Sequence, residues 1–213
     1  ISRFIAGIVV DTDYTSNGKL TTDQAHNLPS LDRYAILIQS RIHSLGQVLY
    51  FTHDWGPDNG GQATYEQDLE EFLFDYSQAP TEEDLNAKPD AIPYYPMGKK
   101  TEVEFTTSSG KKLKFKLLTG AAEARVLSLP FDKVTRNVEL LVRNLMMEID
   151  GVYHEVKTFQ SFSVRDMYEI RQQVAMNDPV FRGTTKIDNP HKEGQSENIS
   201  LMGIPNFFFL GEI

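Results

Sequence analysis

The chain reads as an α+β protein built from two copies of one small module. Three observations lead there: a repeated helix start, apolar-aromatic segments at matching distances beyond it, and helical and alternating stretches that follow one another along the chain. The first helix start is Leu28-Pro29-Ser30-Leu31-Asp32-Arg33-Tyr34-Ala35-Ile36, and the second is Phe162-Ser163-Val164-Arg165-Asp166-Met167-Tyr168-Glu169-Ile170. Both carry an apolar residue and a Ser ahead of Asp-x-Tyr-x-Ile. Leu69-Glu70-Glu71-Phe72-Leu73-Phe74 begins 37 residues after Asp32, and Ile204-Pro205-Asn206-Phe207-Phe208-Phe209 begins 38 after Asp166. Ahead of each start lies an apolar run ending in Asp, Ile1 to Asp11 and Leu140 to Asp150. The expected organisation is a first copy over 1–77, a Pro-rich acidic linker over 78–98 and a second copy over 99–213. Each copy is expected to hold two helices and a small antiparallel β unit.

The elements follow in order. Ile1 to Val10 reads as the tail of a helix stopped at Asp11. A helix from Ser30 to Gly46 carries Leu31, Tyr34, Leu37, Ile38, Ile42 and Leu45 at helical spacing. Gln47 to Tyr65 mixes short strands with the turn formers Gly56-Pro57-Asp58-Asn59-Gly60-Gly61. Thr81-Glu82-Glu83-Asp84 can open a short helix in the linker. Glu102 to Thr107 and Lys112 to Leu118 alternate around Ser108-Ser109-Gly110-Lys111, which predicts a hairpin. A complete duplication implies a matching hairpin upstream of Ile1. Phe131, Val134, Val138, Leu141, Val142, Leu145, Met146 and Ile149 step by three and four, which predicts one long helix from Asp132, its N-cap, to Ile149, ended by Asp150-Gly151. A helix from Ser163 to about Met176 follows, then strands around the turn Asp188 to Gly194. The expected core includes Ile36, Leu37, Val138, Leu141, Leu145, Ile170, Val174, Phe74 and Phe208.

Composition narrows the function. The 213 residues are 40% hydrophobic with 11% aromatic, enough to bury a core. A formal net charge of −9 argues against a nucleic-acid surface, and the lysines at 99–100 and 111–116 read as solvated hairpin strands. No apolar stretch approaches the ~18 residues of a membrane span. With no cysteine, neither disulfides nor thiolate metal sites are available.

Candidate chemistry is sparse. The five histidines include His43, His53-Asp54, His154-Glu155 and His191-Lys192-Glu193, none at His-x-x-x-His spacing. His53, Asp54 and Asp58 can approach one ion, but Asp and Asn are ordinary in such a turn. Asp11 with Asp13 reads as a helix stop and turn, and Glu70 with Glu71 as a solvated face. Asp32 and Asp166 recur because a carboxylate in the first helical turn meets unpaired N–H groups and the positive end of the dipole. Phosphate-loop, nucleophile-elbow and dinucleotide fingerprints are absent from the sequence. No enzyme, cofactor or metal is expected.

The aromatic residues are the remaining candidates: Trp55, Phe72, Phe74, Phe207, Phe208 and Phe209 are the expected interface residues. Phe207 to Phe209 reads as a buried final strand. Alternation puts Phe208 opposite its neighbours, so both faces need cover, and a second subunit is one way to supply it. Trp55, the single tryptophan, either caps its own module or anchors an interface.

The run Leu28-Pro29-Ser30-Leu31-Asp32-Arg33-Tyr34-Ala35-Ile36-Leu37-Ile38-Gln39-Ser40-Arg41-Ile42-His43-Ser44-Leu45-Gly46 resembles a motif of baseplate proteins from T-even-like contractile-tailed phages. The hairpin Val103 to Leu118 leading into helices is similar to another portion of that family. The resemblance covers residues 1 to 75 best. It implies a non-enzymatic component of the tail hub, located in the virion and assembled in the host cytoplasm. Other baseplate and tail proteins would be its partners, with a homo-oligomeric ring as a further possibility. The alternatives are a transient assembly chaperone that leaves the finished particle, and a metal- or ligand-binding enzyme using the loops around His53 and His191.

Overall fold

The computed structural model describes residues 1–75, 79–92, 101–130, 137–204 and 207–208. The protein is α+β with antiparallel pairing throughout the described strands. In chain order the elements are α1 (Ser2–Ile8), α2 (Thr22–His26), α3 (Ser30–Leu45), β1 (Val48–Asp54), β2 (Gln62–Asp68), α4 (Glu82–Ala87), β3 (Glu102–Thr106), β4 (Lys112–Lys116), α5 (Gly120–Leu127), α6 (Val138–Val142), β5 (Met146–Ile149), β6 (Val152–Glu155), α7 (Val164–Asn177), β7 (Thr184–Asp188) and β8 (Ser196–Ser200). Short 3₁₀ turns follow β2 at Leu69–Phe72 and β8 at Leu201–Gly203.

Two compact units form. One comprises Ile1–Arg33 with Met97–Val180, the other Tyr34–Pro96 with Phe181–Ile213. Each unit therefore combines two separate stretches of chain, and the boundary falls inside α3.

The first unit is organised by a four-stranded sheet in the order β3-β4-β5-β6. The hairpin read from the sequence is present, with Val103 opposite Phe115 and Phe105 opposite Leu113. Their inward side chains join Leu117, Leu140, Leu145 and Val156 in a core closed by Ile170 and Val174 of α7. Period-2 alternation on β4 and i, i+4 spacing on α7 put these apolar groups on facing surfaces.

The long helix expected from Asp132 to Ile149 is not what forms. Within that range residues 131–136, including the expected cap at Asp132, lie outside the described residues. Beyond them only Val138–Val142 is helical, Asn144 takes φ 50°, and Met146–Ile149 is a strand. The apolar spacing suits a short helix followed by a strand as well as one long helix. Asp150 and Gly151, read as a helix stop, have φ of 52° and 80°. They make the two-residue turn joining β5 to β6, where both central residues need positive φ. Of the expected core, Leu37, Leu145, Ile170 and Val174 are buried. Ile36, Val138, Leu141, Phe74 and Phe208 are half-buried.

In the second unit, β1-β2 and β7-β8 are separate hairpins with closely similar wiring. Each has a seven-residue connection, 55–61 and 189–195. At the loop end, Trp55 N donates to Gly61 O at 3.0 Å, and Asn189 N donates to Gln195 O at 2.8 Å. At the open end, Leu69 N donates to Gln47 O at 2.9 Å, and Leu201 N donates to Gly183 O at 2.8 Å. Leu69 and Leu201 are both fully buried. The strand expected at Phe207 to Phe209 does not form at Phe207 and Phe208, which lie in a bend where Phe207 N donates to Ile204 O. Phe209 lies outside the described residues.

Candidate functional site

Two side-chain constellations, one around Trp55 and one at the start of α7, bring candidate functional residues together. In the second unit, Trp55 follows β1 and is buried, with its indole Nε1 donating to Tyr65 Oη at 2.7 Å. Tyr65 Oη in turn donates to Asp188 O at 3.0 Å, tying one hairpin to the other. Thr185 Oγ1 donates to Gln67 Oε1, and Asn189 Nδ2 donates to Asn59 O at 2.9 Å. Trp55 thus has its polar atom satisfied and its ring buried, as an indole in a protein interior requires.

The histidine loops meet here. His53 Nε2 lies 3.0 Å from Glu197 Oε2, and its ring stands edge-on to Trp55 with centroids 4.7 Å apart. His191 packs against Gly60, which has φ 99°; a Cβ at that glycine would meet the His191 Cβ at 2.5 Å. Gly60 is therefore required both by its backbone and by its neighbour. Among the described residues no group of three or more His, Cys, Asp or Glu side chains could hold a metal ion.

The other expected interface residues divide by burial. Phe72 and Phe207 are buried, and Phe74 and Phe208 half-buried. Phe72 stands edge-on to Phe181 at 6.2 Å, and Phe207 to Phe208 at 4.7 Å.

The second constellation joins the β3-β4 turn to the start of α7. Ser163 and Asp166 form a capping box, each side chain accepting from the other's backbone amide. The Asp166 carboxylate also accepts from Ser109 Oγ at 2.5 Å and Lys111 Nζ at 2.9 Å. One turn on, Glu169 accepts from Ser108 Oγ at 2.5 Å and Ser108 N at 2.7 Å. Ser109 Oγ is 3.1 Å from Lys111 Nζ, a spacing that could suggest a serine–lysine nucleophile. Both groups instead donate to the buried Asp166 carboxylate, which occupies the hydroxyl and the ammonium together. The arrangement is a clasp. Its capping half was legible from Ser-x-x-Asp in the sequence, whereas Ser109 and Lys111 lie over 50 residues away and carry no local signal.

The Ser109 hydroxyl, then the Lys111 ammonium and the Ser163 amide, hold the Asp166 carboxyl well below the usual carboxylate range. A depressed folded-state pKa contributes stability that is present above the unfolded value, about 3.9, and lost as pH falls toward the folded one. Asp166→Asn is therefore expected to flatten the loss of stability below about pH 4. Thermal melts of both proteins across that range measure it; superimposable acid limbs would mean the clasp contributes nothing.

Behind α7, the Arg143 side chain is fully buried and paired with Asp178, whose carboxylate also accepts from Leu118 N at 2.6 Å. Arg143 Nη2 reaches Glu139 at 3.1 Å. Alongside is a cleft of 270 Å³ between α6 and α7, lined by Leu140, Val174, Ala175, Pro179 and Val180, with Arg171 among its polar groups. The sequence reading missed both features.

No helix among the described residues is long and apolar enough to cross a membrane. Comparison with protein-family models, curated proteins and solved structures finds no match for this chain.

Proposed function

We propose that this chain is a non-enzymatic structural or assembly component of a contractile phage tail baseplate, in the hub region, acting through protein–protein interfaces. We also propose that it is a tandem duplication, with copies over 1–77 and 99–213. The observation that carries the reading is repetition in both order and wiring. Asp32 and Asp166 are 134 residues apart, and so are Asp54 and Asp188, which close the first strand of each hairpin. Each long helix is followed by a hairpin with a seven-residue connection, the same two closing backbone bonds, and a 3₁₀ turn opening on a buried leucine. The resemblance of Leu28 to Gly46 to the phage baseplate motif supports the setting.

A duplicated scaffold suits assembly because two related surfaces on one chain let a ring meet a neighbour of higher symmetry. Other baseplate and tail proteins are then the partners, and the virion tail the location, after assembly in the host cytoplasm. Mass spectrometry of purified virions with copy counting tests this. The expected result is a small fixed number of chains per tail. Presence in infected cells with absence from virions would identify an assembly chaperone; absence from both would overturn the phage reading.

A further inference from the structure

Among the described residues, the outer face of α7 is exposed and chemically distinctive. Val164, Tyr168 and Met176 are 90%, 61% and 75% exposed, and they fall on one ridge at steps of four with Gln172 between. Val180, 69% exposed, lies beyond the end of α7 and lines the cleft beside α6. Arg165 and Arg171 are also exposed on α7, and none of its exposed residues is acidic, on a chain of net charge −9. Arg165 reaches Glu169 at 3.1 Å yet stays 77% exposed, and Arg171 Nη2 donates to Asn137 Oδ1.

The corresponding helix α3 is closed at these positions. Leu31, Leu37 and Ile38 precede Arg165, Arg171 and Gln172 by 134 residues and are all buried. Aliphatic cover on one helix is thus replaced on the other by Arg and Gln beside exposed Tyr and Met. Tyr, Met and Arg are enriched where proteins meet.

A complementary surface lies on α4. Every residue from Thr81 to Ala87 is exposed, the first turn carries Glu82, Glu83 and Asp84, and Leu85 is 46% exposed. A six-residue helix is not stable by itself. Here a Thr81–Asp84 capping box starts it, and Lys88 Nζ donates to Glu70 O at 2.9 Å and Leu73 O at 2.8 Å at its far end. Three carboxylates and one apolar side chain are thereby presented on a fixed base.

We propose that α4 of one copy docks on the α7 face of a second copy of this chain. The acidic turn meets Arg165 and Arg171, and Leu85 sits at the mouth of the cleft. The contact joins two different surfaces, so a bound pair keeps one free α4 and one free α7 face. Such a contact propagates head to tail and closes into a ring when the rotation permits. The ring's biological setting rests on the baseplate reading, whereas the contact itself rests only on these surfaces.

Light scattering or sedimentation of the full chain, over a range of concentration and salt, is the test. Association is expected to rise with concentration and weaken with salt, because exposed charges are screened. Arg165→Glu with Arg171→Glu, or Glu82→Lys with Glu83→Lys, should each weaken it by about tenfold or more, and all four together should restore it. Circular dichroism should find each variant folded, since the altered side chains are exposed. A parent chain that stays monomeric to ~100 µM at low salt, where a micromolar contact would be saturated, overturns the proposal. Association indifferent to both reversals overturns it as well. A chain that associates as expected but is missing from virions refutes the baseplate role and leaves the contact standing.

Discussion

Asp178→Ala is expected to destabilise the first unit by about 3–5 kcal/mol, the typical result of removing one partner from a buried ion pair. The Arg143 side chain is fully buried, and burial pulls its pKa down from the ordinary value while the neighbouring Glu139 pushes it back up. An arginine remains charged under such conditions, so the cation cannot escape the lost partner by giving up its proton. The same substitution strips the acceptor from Leu118 N, leaving a second polar group unsatisfied. Asp178→Asn keeps the size and one acceptor and should fall between the two. Arg143→Met combined with Asp178→Leu should lie closer to the parent than Asp178→Ala does, since no lone charge is then left inside. Urea melts followed by far-UV circular dichroism measure the series. Trp55, the single tryptophan, lies in the other unit, so its fluorescence reports separately there. A parent-like midpoint for Asp178→Ala would mean that the buried pair does not form in solution.

Phe115→Ala is expected to cost ~3–5 kcal/mol, the usual range for deleting a fully packed aromatic ring. Phe115 is 1% exposed, lies opposite Val103 in the β3-β4 register, and stands edge-on to Phe105 at 6.1 Å. Its removal opens a void beneath Ile170 and Val174, which the sheet cannot close without shifting its ladder. Tyr168→Ala on the outer face of α7 is the control and should change the stability of the isolated chain by less than about 0.5 kcal/mol. The same logic ranks the leucines of α6. Leu140 is 3% exposed and Leu141 half-buried, so alanine at Leu140 should cost more, although the sequence pattern had favoured Leu141 as the core position.

Where signals are local, they were legible in the sequence. Helices α3 and α7, the β3-β4 hairpin and the short helix opened by Thr81 all follow from caps, turn residues and spacing within a few residues. The turn formers of 56–61 and 188–194 likewise mark real hairpin connections. The burial of the aromatic residues is not legible in the same way, because exposure is not a local property. Trp55 lies beside a Gly-Pro turn and admits two roles, and Tyr65, ten residues away on the pairing strand, supplies the acceptor for its indole N–H.

Elements whose causes lie within one or two turns of chain are set locally: the capping boxes at Thr81 and Ser163, the alternation of β4, and the apolar face of α7. Tertiary structure alone decided three further things. Met146 to Ile149 became a strand because β4 offers a free edge at Leu113 and Lys114, and an apolar spacing of three and four cannot distinguish a helix face from a strand paired there. Asp166 became a clasp because the β3-β4 turn brings Ser109 and Lys111 to a cap that would otherwise be ordinary. Arg143 and Asp178 became a buried pair because the fold closes over two charges 35 residues apart. Burial and long-range pairing depend on which surfaces meet, and no window along the chain contains that information.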